Sequence, residues 1–246
     1  AKGRAIVNLI GCEPDEKVSA FISVKEFNED HYVVMATEKG MVKKTKLSAY
    51  SNPRKKGIYA VEIRDGDKLI EARVSTGDND ILLGTRNGKS IRFSEEQIRA
   101  SGRKTMGVKG ITLSSEDDRL VGMLLIKREG TVLVATEKGF GKRTEISQYR
   151  AQKRGGKGVL TMKTTDKVGK MVTIKEVVDK DDLMIITNQG VLIRLPVAQI
   201  RSIGRATQGV KLIKLGEGTL VSSITRIMSE EEEGENNNTE STETKE

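Results

Sequence analysis

The sequence contains few of the residues from which catalytic and metal sites are built. Its 246 residues include one cysteine, Cys12, and one histidine, His31. These counts exclude a disulfide within the chain and disfavour a zinc cluster or a Ser-His-Asp or Cys-His arrangement. We therefore predict no catalytic residue, no metal site and no cofactor in this chain, which alone would not be an enzyme.

Long apolar runs and aromatic residues are also scarce. Hydrophobic residues make up 36% of the chain. No run is long enough to span a bilayer, and no charged and then apolar secretory start is present. The sequence thus predicts a soluble, cytoplasmic protein with no membrane partner. There is no tryptophan, and four phenylalanines and four tyrosines are too few to stack a run of unpaired bases.

What the chain has instead is one pattern that occurs four times. A continuous apolar run closes on Thr-x-x-Gly, and basic residues follow at once. The tripeptides that end on the shared glycines predict tight hairpins, because glycine supplies a positive φ. The runs before them, such as residues 81–83 and 183–186, are apolar on both faces and predict strands inside a sheet. The glycines are 48, 51 and 51 residues apart, at Gly40, Gly88, Gly139 and Gly190.

Each unit has a second half, which opens on glycine and then alternates apolar and polar residues. The alternation predicts half-buried strands. A short polar stretch after each hairpin predicts a single helical turn, and Ser94 with Glu95 and Glu96 resembles an N-cap with an acidic first turn. The opening glycines are Gly3, Gly57, Gly107, Gly158 and Gly209.

These halves together predict an all-β repeat domain over residues 1–228. Four complete units, at about 13–63, 64–113, 114–164 and 165–215, follow a partial one. Four-stranded blades arranged radially, as in a propeller, suit a repeat of about fifty residues. An antiparallel solenoid is the alternative.

The charge of the chain is divided unevenly. Residues 229–246 contain eight glutamates and one lysine, a charge of −7, and this polar segment is predicted to be disordered. The first 228 residues contain 42 basic and 27 acidic residues, a charge of +15. A basic body with few aromatics favours the backbone of duplex nucleic acid as partner, whereas the acidic tail either solubilises the chain or competes for the basic face.

The segments that join the two halves of each unit carry basic residues. The join at residues 149–158 packs three of them around Gly155 and Gly156, whose N–H groups could approach a phosphate closely. Gln152 could bond a phosphate or sugar oxygen. The other interpretation is a tight loop with solvated basic residues, and the residues alone do not separate the two.

One motif resembles a nucleotide site without matching it. Residues 84–90 resemble a phosphate-binding P-loop, but three residues separate the glycines where that motif needs four. The segment is also one of the four predicted hairpins. Paired carboxylates such as Asp117-Asp118 and Asp181-Asp182 fall in predicted turns and are interpreted as solvated turn residues.

Three segments together resemble the C-terminal domain of bacterial DNA gyrase A. They are residues 134–144, 151–158 and 203–215. The stretch from Gln152 to Gly158 is similar to the defining box of that family, which reads Gln, basic, Arg, Gly, Gly, basic, Gly, and all seven positions match. The resemblance covers about residues 1–228.

The resemblance implies a β-pinwheel, a ring of five to six four-stranded blades in which neighbouring blades exchange a strand. It implies that a basic rim bends and wraps double-stranded DNA without sequence preference and so supports ATP-dependent negative supercoiling. The implied partners are gyrase B and the N-terminal region of gyrase A in an A2B2 assembly. ATP and Mg²⁺ would act elsewhere in that holoenzyme.

Two departures limit what the resemblance carries over. In the family the activity-defining box lies in the first blade, whereas this copy lies in a later one, so its need for supercoiling stays open. The breakage-reunion region with the catalytic tyrosine is missing, and no tyrosine here takes that role. Alternatives are the topoisomerase IV C-terminal domain, which commonly lacks a full box, and a basic propeller that binds an acidic protein.

We expect the DNA contacts to lie on one exposed outer edge. Within the box, the candidates are Gln152, Lys153, Arg154, Gly155, Gly156, Lys157 and Gly158. The other joins supply Arg54, Lys55, Lys56, Arg103, Lys104, Arg201 and Arg205, and the hairpin flanks supply Lys43, Lys44, Arg92, Lys142, Arg143 and Arg194.

Overall fold

The computed structural model describes residues 16–54 and 57–228, which form four antiparallel sheets. The predicted tail at 229–246 and Lys55 and Lys56 lie outside the described residues. In chain order the strands are β1 (Tyr32–Thr37), β2 (Met41–Lys46), β3 (Leu69–Ser75), β4 (Asp80–Thr85), β5 (Lys89–Ser94), β6 (Val108–Lys109), β7 (Leu120–Ile126), β8 (Thr131–Thr136), β9 (Phe140–Glu145), β10 (Val159–Leu160), β11 (Met171–Val177), β12 (Asp182–Thr187), β13 (Leu192–Pro196), β14 (Val210–Lys211) and β15 (Val221–Ile227).

Each of the first three sheets, here called blades, is completed by a strand from the next repeat. The strand orders are β3-β1-β2-β6, β7-β4-β5-β10 and β11-β8-β9-β14. The second half of each repeat is therefore divided between blades: its Gly-opened strand pairs with the preceding hairpin, and its last strand returns to its own hairpin. This pairing confirms the exchange of strands between neighbouring blades that the family resemblance implied. One blade therefore contains strands from two repeats. In the described residues the fourth blade has three strands, β15-β12-β13.

The four predicted hairpins are confirmed, and glycine is required at their tips. Gly40 and Gly88 have φ values of +81° and +84°. A Cβ atom at Gly88 would also lie 2.2 Å from the carbonyl oxygen of Met162, in the chain segment that follows β10. The glycine thus serves both the turn and the close passage of the exchanged strand.

The predicted helical turns after the hairpins are confirmed as short 3-10 turns. The Ser94 hydroxyl accepts a hydrogen bond from the Glu96 N–H at 3.2 Å, as expected of an N-cap. The turns span Leu47–Tyr50, Glu95–Gln97, Ile146–Gln148 and Val197–Gln199.

The core lies within and between blades. Ile81, Leu82 and Leu83 in β4 are fully buried, as expected for a central strand with apolar residues on both faces. β12 is also central, as the sequence predicted, although Met184 and Ile186 on one of its faces are only half-buried. Among the last strands of the repeats, β3 lies beside β7, β7 beside β11, and β11 beside β15, around a central cavity.

This arrangement is an all-β, propeller-like set of four blades, as predicted. The last strands of the repeats are innermost, so the exchanged strands β6, β10 and β14 lie at the outer edges of their blades. No helix among the described residues is long and apolar enough to cross a membrane.

Candidate nucleic-acid interface

Three joins, which follow the second, third and fourth hairpins, occupy equivalent places beside the first, second and third blades. We call residues 99–107, 150–158 and 201–209 the outer joins. Each runs beside the outer hairpin strand of the preceding blade and then enters the exchanged strand. The backbone N–H groups of Ser101, Gln152 and Ile203, which are 51 residues apart, donate to the carbonyls of Lys44, Arg92 and Arg143 at 2.9, 2.8 and 2.9 Å.

One arginine in each outer join is anchored to the protein. The guanidinium groups of Arg103, Arg154 and Arg205 donate to the carbonyls two residues beyond the preceding Gly57, Gly107 and Gly158. All three arginines are half-buried. Each therefore connects two successive Gly-opened segments and keeps fewer donors for a phosphate than the sequence suggested. The acceptors are Tyr59, Lys109 and Leu160, at 3.4, 3.2 and 2.8 Å.

A second arginine opens each outer join and is exposed. These residues are Arg99, Arg150 and Arg201, again 51 residues apart. Of these three, only Arg201 is among the DNA contacts predicted from the sequence. The pattern Arg-x-x-x-Arg at this period was the signal that could have identified Arg99 and Arg150, because both arginines of the pattern recur together.

The glycines of the box hold the join in place. The Gly155 N–H donates to the Gly110 carbonyl at 2.7 Å, so of the two interpretations that the sequence left open, the one with this N–H facing a phosphate does not hold for Gly155. The Gly155 carbonyl in turn accepts from the Thr112 hydroxyl at 2.6 Å. A Cβ atom at Gly158 would lie 2.4 Å from the Ser90 carbonyl oxygen. The loop interpretation therefore accounts for Gly155 and Gly158.

The polar side chains of the box divide into exposed and covered groups. Lys153 and Lys157 are exposed on the outer join. The side-chain nitrogen of Gln152 is buried and, within the described residues, has no hydrogen-bond partner. Gln152 is thus not placed as an open contact, whereas the two lysines are free to reach a polyanion.

The hairpin-flanking lysines Lys43 and Lys142 are buried, so the prediction that they lie exposed on the outer edge is wrong. They are 2% and 0% exposed. The Lys43 ammonium donates to the carbonyls of Ala60, at 2.8 Å, and Arg103, at 2.5 Å. The Lys142 ammonium donates to the carbonyls of Gly204, at 2.7 Å, and Arg205. Both lysines hold an outer join from below.

In the second blade, the position equivalent to Lys43 and Lys142 is occupied by an apolar residue. This residue is Ile91, which is fully buried. The box glycine Gly156 passes above it, and a Cβ atom there would lie 3.4 Å from the Ile91 Cδ1 atom. An apolar side chain supports the box join, whereas the joins at 99–107 and 201–209 direct carbonyl oxygens inward and require a donor.

In the first three hairpins, the next position connects neighbouring blades. The Lys44 ammonium lies 3.0 Å from the buried carboxylate of Glu95, in the 3-10 turn of the following blade. Arg92 and Arg143 donate to the carbonyls of Tyr149 and Ile200, at 3.2 and 2.8 Å. The prediction that Lys44, Arg92 and Arg143 lie exposed on the outer edge is therefore also wrong, because their side chains contact the following blade.

The remaining candidates differ in exposure. Arg194, in the fourth blade, is 66% exposed at its side chain and pairs with Asp182 at 2.5 Å. Arg54 and Lys104 are exposed. The Lys104 ammonium lies 5.6 Å from the centre of the Tyr59 ring. In the described residues, no cluster of three or more His, Cys, Asp or Glu side chains is suited to hold a metal.

The buried lysines predict a pH dependence of stability. Burial, with the charges of Arg103 and Arg205 as smaller causes, lowers the pKa of Lys43 and of Lys142 from 10.5 to about 8. Between about pH 8 and 10 the unfolded chain holds more protons, so the free energy of unfolding is expected to rise with pH. Denaturant unfolding of the wild type and of the double variant Lys43→Met/Lys142→Met, each at several pH values between about 8 and 10, measures this rise in the free energy of unfolding. An equal rise in both proteins would contradict the assignment.

The fold and the surface define a class of protein, a propeller-like repeat domain with cations repeated on its outer joins. The model of the DNA gyrase C-terminal domain, a beta-propeller, matches residues 31–76, 79–127, 130–177 and 181–227. The chain belongs to this family. The DNA gyrase A protein of Staphylococcus epidermidis is 45% identical over 94% of the chain, and that of Staphylococcus aureus is 44% identical over 99%.

Two solved structures share the fold of this chain. The C-terminal domain of DNA topoisomerase IV superposes with a TM-score of 0.86 at 26% identity, over 92% of this chain and 71% of that one. A DNA gyrase A C-terminal domain superposes with a TM-score of 0.83 over 93% of this chain and 76% of that one, and at 23% identity it shows the fold alone. The chain spans 26% and 28% of the two Staphylococcus proteins.

Proposed function

We propose that this chain binds duplex DNA along its outer joins, bends it without sequence preference, and so serves a DNA gyrase. The observation that carries the proposal is the recurrence of exposed Arg99, Arg150 and Arg201 at equivalent positions on successive blades. A curved row of cations suits a polyanion whose charges also repeat regularly. The relatives, which are DNA gyrase A proteins, support the holoenzyme context.

The contact set is revised from the one that the sequence predicted. Side chains that are buried or bonded within the protein leave the set, and exposed ones on the joins stay. Phosphate contacts of this kind fix position and carry no sequence information. The proposed contacts are Arg99, Lys104, Arg150, Lys153, Lys157 and Arg201, with Arg54 beside the first blade.

The free energy from such contacts is large enough to bend a short duplex. A smooth bend of a short duplex by tens of degrees costs about 1–6 kcal/mol. Each neutralised phosphate releases counterions and contributes about −0.9 to the slope of log affinity against log salt concentration. Contacts on three successive blades can therefore offset the cost of bending, in the way that histones do.

In the proposed context this chain does not carry out the reaction. Gyrase B and the N-terminal region of gyrase A would form the A2B2 assembly with it, in the cytoplasm. ATP and Mg²⁺ would be used in those other parts. The chain would supply the wrapped DNA segment from which negative supercoils are made.

A salt titration of duplex binding tests the proposal. We expect a steep slope that is the same for random-sequence duplexes of equal length. Ligating nicked circles with the chain bound and reading the change in linking number then measures the wrap. Absence of duplex binding at moderate salt, with retained binding to an acidic protein, would favour the protein-interaction propeller instead.

A topoisomerase IV domain is the second candidate, because that structure superposes with a TM-score of 0.86. The intact box from Gln152 to Gly158 and the relatives at 44–45% identity favour gyrase. A change in linking number of the circles on binding is expected if the chain wraps DNA, and unchanged circles would favour the alternative.

Deleting residues 229–246 is expected to tighten duplex binding. The deletion removes a charge of −7 from a chain whose other residues carry +15. An acidic segment that binds transiently to the basic surface competes with the phosphates of DNA. Its removal therefore raises the affinity for duplex DNA, and the effect is largest at low salt. Binding constants of the full and shortened chains measure the effect. A chain of the same length with a neutral tail is the control, and unchanged affinity would show that the tail does not compete.

A further inference from the structure

The central cavity has about 850 Å³ of space and lies away from the outer joins. Its walls are the innermost strands β3, β7, β11 and β15 and the segment from Val18 to Ser23. A volume of this order is typical of pockets for small ligands and does not admit a duplex. The cavity is thus separate from the proposed DNA surface.

Cations outnumber carboxylates among the cavity residues. Four basic side chains line it, against two acidic ones. The repeat explains their convergence, because Arg73 in β3 and Lys175 in β11 occupy the same position of the innermost strand, and Arg226 in β15 is one residue further along. The basic residues are Arg73, Lys127, Lys175 and Arg226, and the acidic ones are Glu71 and Glu176.

Both carboxylates are already engaged. Glu71 pairs with Arg73 at 2.9 Å. One Glu176 oxygen accepts the backbone N–H groups of Lys127 and Arg128, each at 3.1 Å, and the other lies 3.7 Å from the Arg128 guanidinium. Glu71 and Glu176 thus form their ion pairs with arginines and not with Lys175.

Lys175 differs from the other basic residues of the cavity because no polar group of the described residues contacts its ammonium directly. In the part of the chain that the structure describes, its ammonium group makes no hydrogen bond and no ion pair, although it is half-buried. Burial lowers the pKa of Lys175, the charge of Glu71 opposes this, and the charges of Arg73 and Arg226 add to it. Burial outweighs the attraction of Glu71, so an anion that contacts the Lys175 ammonium directly would stabilise its charged form.

We propose that the central cavity binds a compact, multiply charged phosphate anion of the pyrophosphate class, held by Lys175, Arg73 and Arg226. The guanidinium groups match phosphate oxygens in geometry, and the ammonium adds a point charge. Apolar side chains on the same walls, among them Leu124 and Leu125, limit water and strengthen the attraction.

Calorimetric titration of the 246-residue chain with pyrophosphate at 0.15 M salt tests the site. We expect one ion per chain at the cavity, and Lys175→Leu is expected to weaken its binding about tenfold. Leucine is chosen because Leu124 occupies the equivalent position in β7. Lys167→Leu is the matched control, because Lys167 is exposed and lies outside both the cavity and the outer joins, and it is expected to leave this affinity unchanged.

The outcomes separate this proposal from the DNA proposal. No pyrophosphate binding, or an equal loss in both variants, would overturn the cavity site while leaving duplex binding untouched. Retained duplex binding by Lys175→Leu with lost pyrophosphate binding supports it. If Lys175→Leu does not fold, the nitrogen resonance of the Lys175 ammonium in the wild type decides: it shifts on pyrophosphate addition if the proposal holds and stays constant if it fails.

Discussion

Replacing Lys142 by methionine is expected to lower the free energy of unfolding by about 3 kcal/mol at pH 7. The substitution keeps the length of the side chain and removes its ammonium group. It leaves the carbonyls of Gly204 and Arg205 and the hydroxyl of Thr207 without the donor that now reaches them. Buried acceptors without partners carry the cost of lost solvation. Urea unfolding followed by circular dichroism measures the change.

Two further variants make this result interpretable. Lys153→Met removes an exposed lysine and is expected to change stability by less than about 0.5 kcal/mol. Lys43→Met should reproduce the large effect, since Lys43 holds the join of the first blade in the same way. A small effect of Lys142→Met would show that the join at 201–209 does not depend on the buried ammonium.

Replacing Arg99, Arg150 and Arg201 together by glutamine is expected to weaken duplex binding about a hundredfold at 0.1 M salt. All three side chains are exposed at equivalent positions, so the fold should not change. The loss of three phosphate contacts should reduce the salt slope by about 2.7. Duplex titrations at several salt concentrations measure both quantities.

The matched control removes the same charge from a different part of the surface. Lys39, Lys138 and Lys167 are exposed and lie at or near hairpin tips, outside the outer joins. Their joint replacement by glutamine should alter the salt slope by less than about one unit, because only the general charge of the protein falls. Equal effects of the two triple variants would show that binding follows net charge and not the row of arginines.

Local structure followed closely from the sequence. The hairpins at Gly40 and Gly88 could be predicted because a positive φ and the flanking apolar runs leave few other conformations. The 3-10 turn after Ser94 could be predicted because its cap uses residues adjacent in the chain. Such features depend on neighbours within a few residues.

The partner of each Gly-opened strand did not follow from the residues themselves. β6 pairs with β2, which lies one repeat earlier in the chain, and period-two alternation is satisfied equally well in either blade. The family resemblance implied the exchange, and the structure shows which strands take part in it. The sequence could not predict which basic residues belong to the site, because it does not show whether the ammonium group of a lysine is buried or exposed.

The sequence by itself determined the four units, their hairpins, the basic joins and the 51-residue spacing that makes later repeats equivalent. Only the tertiary structure decided which cations serve the fold and which face solvent. Lys43 and Lys142 lie beneath the joins, whereas Arg99, Arg150 and Arg201 lie on them. The physical reason is that a long cationic side chain is placed by acceptors far away in the chain, and the exchanged strands bring those acceptors to it.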